Sequence, residues 1–328
     1  MPTKDRLIIL FSVFCISLGF FGLLILGFVS LFPPKASSLT PPPLIYKLAS
    51  ATDFPLPSPT YKATITPTPT LTTTPNLSFI THLDKGAGIH IVYVDLKHLG
   101  VYQPLVTPLE DGRFIAHTVP EFDQKYNCAL AINGSGFGPY LPQQSTFKLR
   151  HPTWDRKNQT VSGDLLWNHG YTVSRGTAYP VELFQSAKIA SLVFTKDSLP
   201  SITINSTPMN GYNVLPGQGI LVEDGQIIAG LDTKILEPRT AIGINQTNNL
   251  LIIVITDGRQ PLLGFNGTTF ATLAQLLKDA GSFQAMALDG GGSTTLIINR
   301  QLANSPSFIS NPPDFSYRAG GASLGFCP

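Results

Sequence analysis

The sequence predicts an α+β fold: a single globular domain over residues 79–328, built on a mixed, largely antiparallel sheet with few helices, preceded by one transmembrane helix and a Pro/Thr-rich stalk. Three observations carry this. Short apolar runs bounded by Gly, Pro, Asn or Asp recur along residues 79–328, whereas helical periodicity is clear in one stretch only. Ahead of them lie an uncharged run and a tract of Pro, Thr and Ser, neither of which reads as globular.

The elements follow in chain order. Residues 1–6 form a short tail, and residues 7–32 carry no charged side chain. At 1.5 Å per residue that run crosses a hydrocarbon core of about 30 Å with some tilt. A cleavable secretory signal has an apolar region of roughly 7–15 residues and a small-residue cleavage site. This run is longer and ends in Pro33-Pro34-Lys35, so an uncleaved anchor is expected. Lys4 and Arg6 precede it, and the positive-inside rule then leaves the tail in the cytoplasm and the C-terminal domain outside, a single-pass membrane localisation. Residues 33–78 contain Pro41-Pro42-Pro43 and Thr66-Pro67-Thr68-Pro69, which block helix and strand ladders and favour an extended, semi-rigid stalk.

Strands are predicted over 90–96, 129–132, 219–222, 241–244, 250–256, 285–288 and 296–298. Asp224-Gly225 is a two-residue hairpin signal, and Asn248-Asn249 a less marked one. The one helix predicted spans 268–280. Phe270, Leu273, Ala274, Leu276, Leu277 and Ala280 make its apolar stripe, Thr268 or Thr269 its N-cap and Gly281 its stop. Residues 250–295 thus read as strand, Asp257 turn, helix, strand, Asp289 loop. If the two strands are parallel neighbours, Asp257 and Asp289 emerge from the same end of the sheet, where crevices form in such units.

Asp289-Gly290-Gly291-Gly292-Ser293-Thr294-Thr295 is a costly string for a core, because three glycines lose chain entropy and bury no side chain. Between two apolar strands it sets one carboxylate above free N–H groups and hydroxyls, the layout of a ligand site. A phosphate-binding P-loop is disfavoured, since no Lys follows and Leu296-Ile297-Ile298 is strand-like. Charged residues are 13%, with 22 Lys+Arg against 20 Asp+Glu, so no field draws in nucleic acid. His82, His90, His98, His117, His151 and His169 are scattered, no Cys/His cluster has zinc spacing, and no metal or cofactor is expected. Cys15 lies in the membrane run. Cys128 and Cys327 are compatible with one disulfide or with two buried thiols.

Asp289 to Thr295 resembles the signature of the phosphodiester glycosidase family, which includes the enzyme that uncovers mannose 6-phosphate by removing N-acetylglucosamine. The resemblance extends over most of residues 89–326. Ala131-Ile132-Asn133-Gly134-Ser135-Gly136-Phe137 is similar to the family's Asn-Gly-Gly-Phe-Phe segment, and Leu215-Pro216-Gly217-Gln218-Gly219 to a Gly-rich one. Pro238-Arg239-Thr240-Ala241-Ile242-Gly243 and Thr256-Asp257-Gly258-Arg259 fall in the expected order. Two positions depart: Ser135 stands where the family has its second glycine, and Asn304-Ser305-Pro306-Ser307 lacks an Arg between Asn and Pro.

The resemblance implies hydrolysis of an N-acetylglucosamine-like sugar from a sugar-1-phosphodiester on cell-envelope or extracellular glycans. Such a reaction passes through an oxocarbenium-like transition state, and the departing phosphate needs little acid help. It asks for a carboxylate at the anomeric carbon and for cations or N–H groups at the phosphate. Asp289 and Asp257 are the candidates for the first. Arg239, Arg259 and Arg318 are candidates for the second, a guanidinium fork being able to bond two phosphate oxygens. Asn133, Thr240, Ser293, Thr294, Thr295 and the backbone of Gly290, Gly291 and Gly292 complete the expected substrate contacts. A non-catalytic envelope glycan-binding module using the same pocket is the main alternative, and a metal-dependent hydrolase with a cation on Asp257 and Asp289 a third.

Overall fold

A computed structural model describes residues 77–142, 148, 160–180, 183, 189–205, 210–307 and 317–328. The tail, the membrane run and the stalk up to residue 76 lie outside the described residues, among which no helix is long and apolar enough to cross a membrane.

Leu250–Thr256 reads LLIIVIT, and the structure explains why it is apolar throughout. It sits inside a seven-stranded sheet, in the order Ile80–Asp84, Ile89–Asp95, Leu250–Thr256, Arg239–Ile244, Gln284–Ala287, Ile220–Glu223, Gln226–Ile227. Both faces of this sheet are covered. Ile91, Ala241, Ile252, Val254 and Ala287 pack against Leu273, Ala274 and Leu277 of the helix Phe270–Asp279, while Val92, Ile242, Ile253, Ile255 and Met286 face the main core. Strands buried on two sides give up the alternation that a half-exposed strand keeps.

Opposite stand two five-stranded sheets. One orders Pro200–Asn205, Ile189–Phe194, Asn213–Pro216, Val173–Ser174 and Thr177–Ala178; the other orders Gln301–Leu302, Leu296–Ile298, Leu130–Ile132, Leu324–Cys327 and Gln103–Val106. Phe137–Pro139 pairs with Leu166–Asn168. Phe114, Phe194 and Phe326 fill the core between them.

Several expectations are refined. The architecture is mostly antiparallel with two α-helices among the described residues, but it uses several sheets, and every described pairing is antiparallel, where a mixed sheet was expected. The strands leading to Asp257 and Asp289 run in the same direction without being neighbours. Arg239–Ile244 lies between them, antiparallel to both, with Ala241 opposite Val254 on one side and Ala287 on the other. The hairpin at Asp224-Gly225 has φ of 49° and 72°, as a type I′ turn needs.

The helix begins at Phe270, where the Thr269 hydroxyl accepts from Thr272 N at 3.1 Å. A second helix, Val119–Tyr126, went unpredicted because eight residues carry too short a stripe. Its signal was a capping box: Thr118 accepts from Glu121 N, and Glu121 accepts from Thr118 N at 2.8 Å. Cys128 and Cys327 form a disulfide, resolving the choice the sequence left open.

Candidate active site

The strand Gln284–Ala287 ends against its neighbours and hands the chain to a docked loop. Leu288 N donates to Thr240 O at 2.9 Å, Asp289 N to Gly134 O at 2.8 Å, and Gly291 N to Pro238 O at 2.8 Å. Asn133 clasps the same loop from below. Its Nδ2 donates to Asp289 O at 2.7 Å, and its Oδ1 accepts from Thr240 Oγ1 at 2.8 Å and Thr295 N at 3.2 Å. The glycines follow from this docking: a Cβ on Gly290 would stand 2.7 Å from Pro238 O, and Gly291 has φ +60°. A short 3₁₀ turn, Gly291–Ser293, then folds Ser293 back toward Asp289.

The Asp289 side chain enters a small cleft that it shares with His117, Ser135, Ser293, Arg318 and Gly320. Burial pushes its carboxyl above the ordinary carboxylate range, opposed by the Ser293 hydroxyl, by Arg318, by the Gly290 amide and by His169. Ser293 Oγ lies against the carboxylate yet makes no well-aligned hydrogen bond. The Arg318 guanidinium is held over the Phe137 ring, 4.9 Å from its centroid, with Nε buried and unpartnered.

Six buried side-chain nitrogen or oxygen atoms lack a hydrogen bond among the described residues, and four of them, on Ser293, Thr294, Ser307 and Arg318, gather at this loop. A Cβ on Gly292 would sit 3.5 Å from Ser307 O and 3.7 Å from Arg318 Cδ, which marks how closely they converge. An unsatisfied buried group costs about 1–3 kcal/mol.

The remaining expected residues are placed differently. Asp257 is 2% exposed, and both its oxygens are engaged: Oδ1 accepts from Asn304 Nδ2 at 2.7 Å and Oδ2 from Ser305 N at 2.9 Å, with His90 Nε2 at 3.4 Å. Two carboxylates facing one cleft is therefore not what the side chains do. Asn304 passes the contact on, donating to Thr294 O at 3.3 Å and accepting from Leu296 N at 2.8 Å, so Asp257 braces the Asp289 loop from behind. Arg239 and Thr240 point to opposite faces because side chains alternate along a strand. Thr240 meets Asn133, while Arg239 stacks 3.9 Å from the Phe270 ring centroid, beside the helix. Arg259 pairs with Glu237 at 2.5 Å and lies flat on the loop, its Nη2 at 3.0 Å from where a Gly291 Cβ would be. Thr295 Oγ1 donates to Ser293 O at 3.1 Å, within the loop itself.

Two histidines enter that scattered spacing could not single out. His169 N donates to Gly136 O at 2.8 Å, and its ring stacks on Trp167 at 4.7 Å. Burial pulls its imidazole below the ordinary value and Asp289 pulls it back. Gly136 gives the only available sequence signal, since a Cβ there would meet His169 Nδ1 at 3.0 Å. His117 lines the cleft directly. Ser135, the departure from the family pattern, bridges two segments: its Oγ donates to Asn168 Oδ1 at 2.8 Å and accepts from Ala322 N at 2.9 Å. A roomier cavity of about 560 Å³, lined by Lys97, Arg175, Lys196 and Cys327, lies at the other end of the strand Leu324–Cys327, and none of the expected residues reaches it.

The sequence pattern of the phosphodiester glycosidase family matches residues 124–319, a span that holds Asn133, His169, Asp257, Asp289 and Arg318. Among solved structures the chain is similar to the catalytic domain of zebrafish N-acetylglucosamine-1-phosphodiester alpha-N-acetylglucosaminidase, auto-inhibited by its pro-peptide, at 21% identity and a TM-score of 0.53, covering 76% of this chain and 82% of that one. It is similar also to a hypothetical protein from Synechocystis at 12% identity and a TM-score of 0.45, covering 76% of this chain and 61% of that one. The first bears on the fold alone. No curated protein sequence matches significantly. With well over half of its 328 residues inside the matched span, the chain belongs to the phosphodiester glycosidase family of hydrolases.

Proposed function

We propose that the domain hydrolyses a sugar-1-phosphodiester, releasing an N-acetylglucosamine-like sugar from cell-envelope or extracellular glycans. The observation that carries this reading is the Asp289 carboxylate, set beside Arg318 in a cleft that Ser293 and His117 also line. Asp289 acts at the anomeric carbon, where a negative charge stabilises the oxocarbenium-like transition state or attacks it. Arg318 takes the phosphate oxygens, and Ser293 supplies a hydroxyl to a ligand oxygen. Asn133, Thr240 and Asp257 hold the loop that presents Asp289.

The test is turnover of N-acetylglucosamine-1-phosphodiesters. Asp289→Asn keeps the shape and removes the charge, so kcat should fall by roughly 10²–10⁴ with the fold retained. Arg318→Ala should mainly raise KM if the phosphate is gripped in the ground state. Turnover by Asp289→Asn close to that of the parent would sink the assignment, and a parent that binds such glycans without turnover would make the domain a glycan-binding module.

Residues 7–32 are proposed to anchor this domain outside the cytoplasmic membrane, on a stalk over 33–78, with 1–6 inside. Protease added to intact cells should release the domain; a protected stalk would rule this topology out.

A further inference from the structure

His117 occupies the cleft with Asp289 and Arg318, and no role in the site follows from its place in the sequence. Its imidazole is anchored at one nitrogen only. Nε2 makes a short contact with Glu110 Oε1, and that same oxygen meets Lys125 Nζ at 2.7 Å. Nδ1 has no partner among the described residues. The backbone holds the ring in place from a second side, because His117 O accepts from Gly320 N at 3.1 Å, two residues beyond Arg318.

A carboxylate that accepts from one imidazole nitrogen fixes the neutral tautomer, so the opposite nitrogen is the bare acceptor, and it steadies the imidazolium that forms when a proton arrives. Other charges also act on this ring. Glu121 interacts with it from the helix Val119–Tyr126, Lys125 reaches Glu110 from the same helix, and Asp289 and Arg318 share its cleft. His169, whose ring stacks on Trp167, interacts with Asp289 itself and with no second carboxylate among the described residues that would orient it.

We propose that His117, oriented by Glu110, is the proton carrier of the site. The inference rests on the reading of the domain as a sugar-1-phosphodiester hydrolase. In that reaction the bond between the anomeric carbon and the phosphate oxygen breaks with its electron pair leaving on the phosphate. The oxygen of water forms the new bond to that carbon, directly or after Asp289 has held the glycosyl group. One proton of the water passes to His117 Nδ1 and from there to solvent, giving the free sugar, the phosphomonoester and one proton. The proton then has an acceptor other than the carboxylate that faces the anomeric carbon.

The experiment compares kcat against pH for the parent, His117→Ala, His169→Ala and Glu110→Gln on an N-acetylglucosamine-1-phosphodiester, with added imidazole as a second arm. His117→Ala should lower kcat by roughly 10²–10⁴, remove the limb on which turnover rises with pH, and recover part of it in imidazole. Glu110→Gln removes the carboxylate that orients the ring, so kcat should fall by a smaller factor than in His117→Ala, with KM unchanged. If His117→Ala does not fold, the kcat of Glu110→Gln at unchanged KM decides the matter alone. A folded His117→Ala with parental kcat and profile, a limb that vanishes only in His169→Ala, or a parental kcat in Glu110→Gln overturns the proposal while the hydrolase reading stands. A parent without turnover overturns both.

Discussion

At the scale of single residues, two carboxyls stand above their ordinary range because burial disfavours their charge. Asp123 is pushed up to about 6, with only Arg300 opposing, and its Oδ1 is buried without a partner. Asp289 is raised for the same first cause. A carboxyl whose folded pKa exceeds its unfolded value contributes stability in full below the unfolded value, near 4, and loses it as pH rises through the folded value. The domain should therefore become less stable between about pH 4 and pH 6 on account of Asp123. Asp123→Asn and Asp289→Asn should each raise Tm at pH 7, with the gap closing toward pH 4, and each kcal/mol regained is worth about 2–4 °C in a domain of this size. Thermal melts across that range check it; variants that melt lower than the parent at pH 7 would remove burial as the cause.

At the scale of elements, the sequence was most legible where one segment decides its own conformation. The helix Phe270–Asp279, the Asp224-Gly225 hairpin and the glycine run after Asp289 are local and were read correctly in kind. Partnerships between distant segments were not legible. Nothing local says that Arg239–Ile244 inserts between the two aspartate-bearing strands, or that Asn133 spends its amide on Asp289 O, 156 residues away. The same blindness made Asp257 look like a second catalytic acid, since a strand-end carboxylate reads alike whether it faces solvent or braces a loop. Asp257→Asn replaces one acceptor oxygen by an NH₂ group facing Asn304 Nδ2 or Ser305 N. It should cost about 1–3 kcal/mol of stability and reduce turnover without abolishing it. Turnover lost entirely at an unchanged melting temperature would restore a direct catalytic role.

At the scale of the whole molecule, the site is assembled from places far apart in the chain. Glu110 and His117 come before the helix Val119–Tyr126, His169 beside the paired strand Leu166–Asn168, Asp289 after the strand Gln284–Ala287, and Arg318 just ahead of the last strand. The Cys128–Cys327 bond draws a covalent ring around most of this, with 199 residues of sequence separation between its ends. Everything from Asn133 to Arg318 lies inside the ring; Glu110 and His117 lie on the free strand leading into it. A peptide bond hydrolysed anywhere within the ring releases nothing, because both pieces remain tied at the sulfurs and held by the sheets. A nick ahead of Cys128 has no such safeguard, and the segment bearing His117 then depends on its hydrogen bonds and packing alone. In its oxidised form the domain can thus be cut within the ring and stay in one piece.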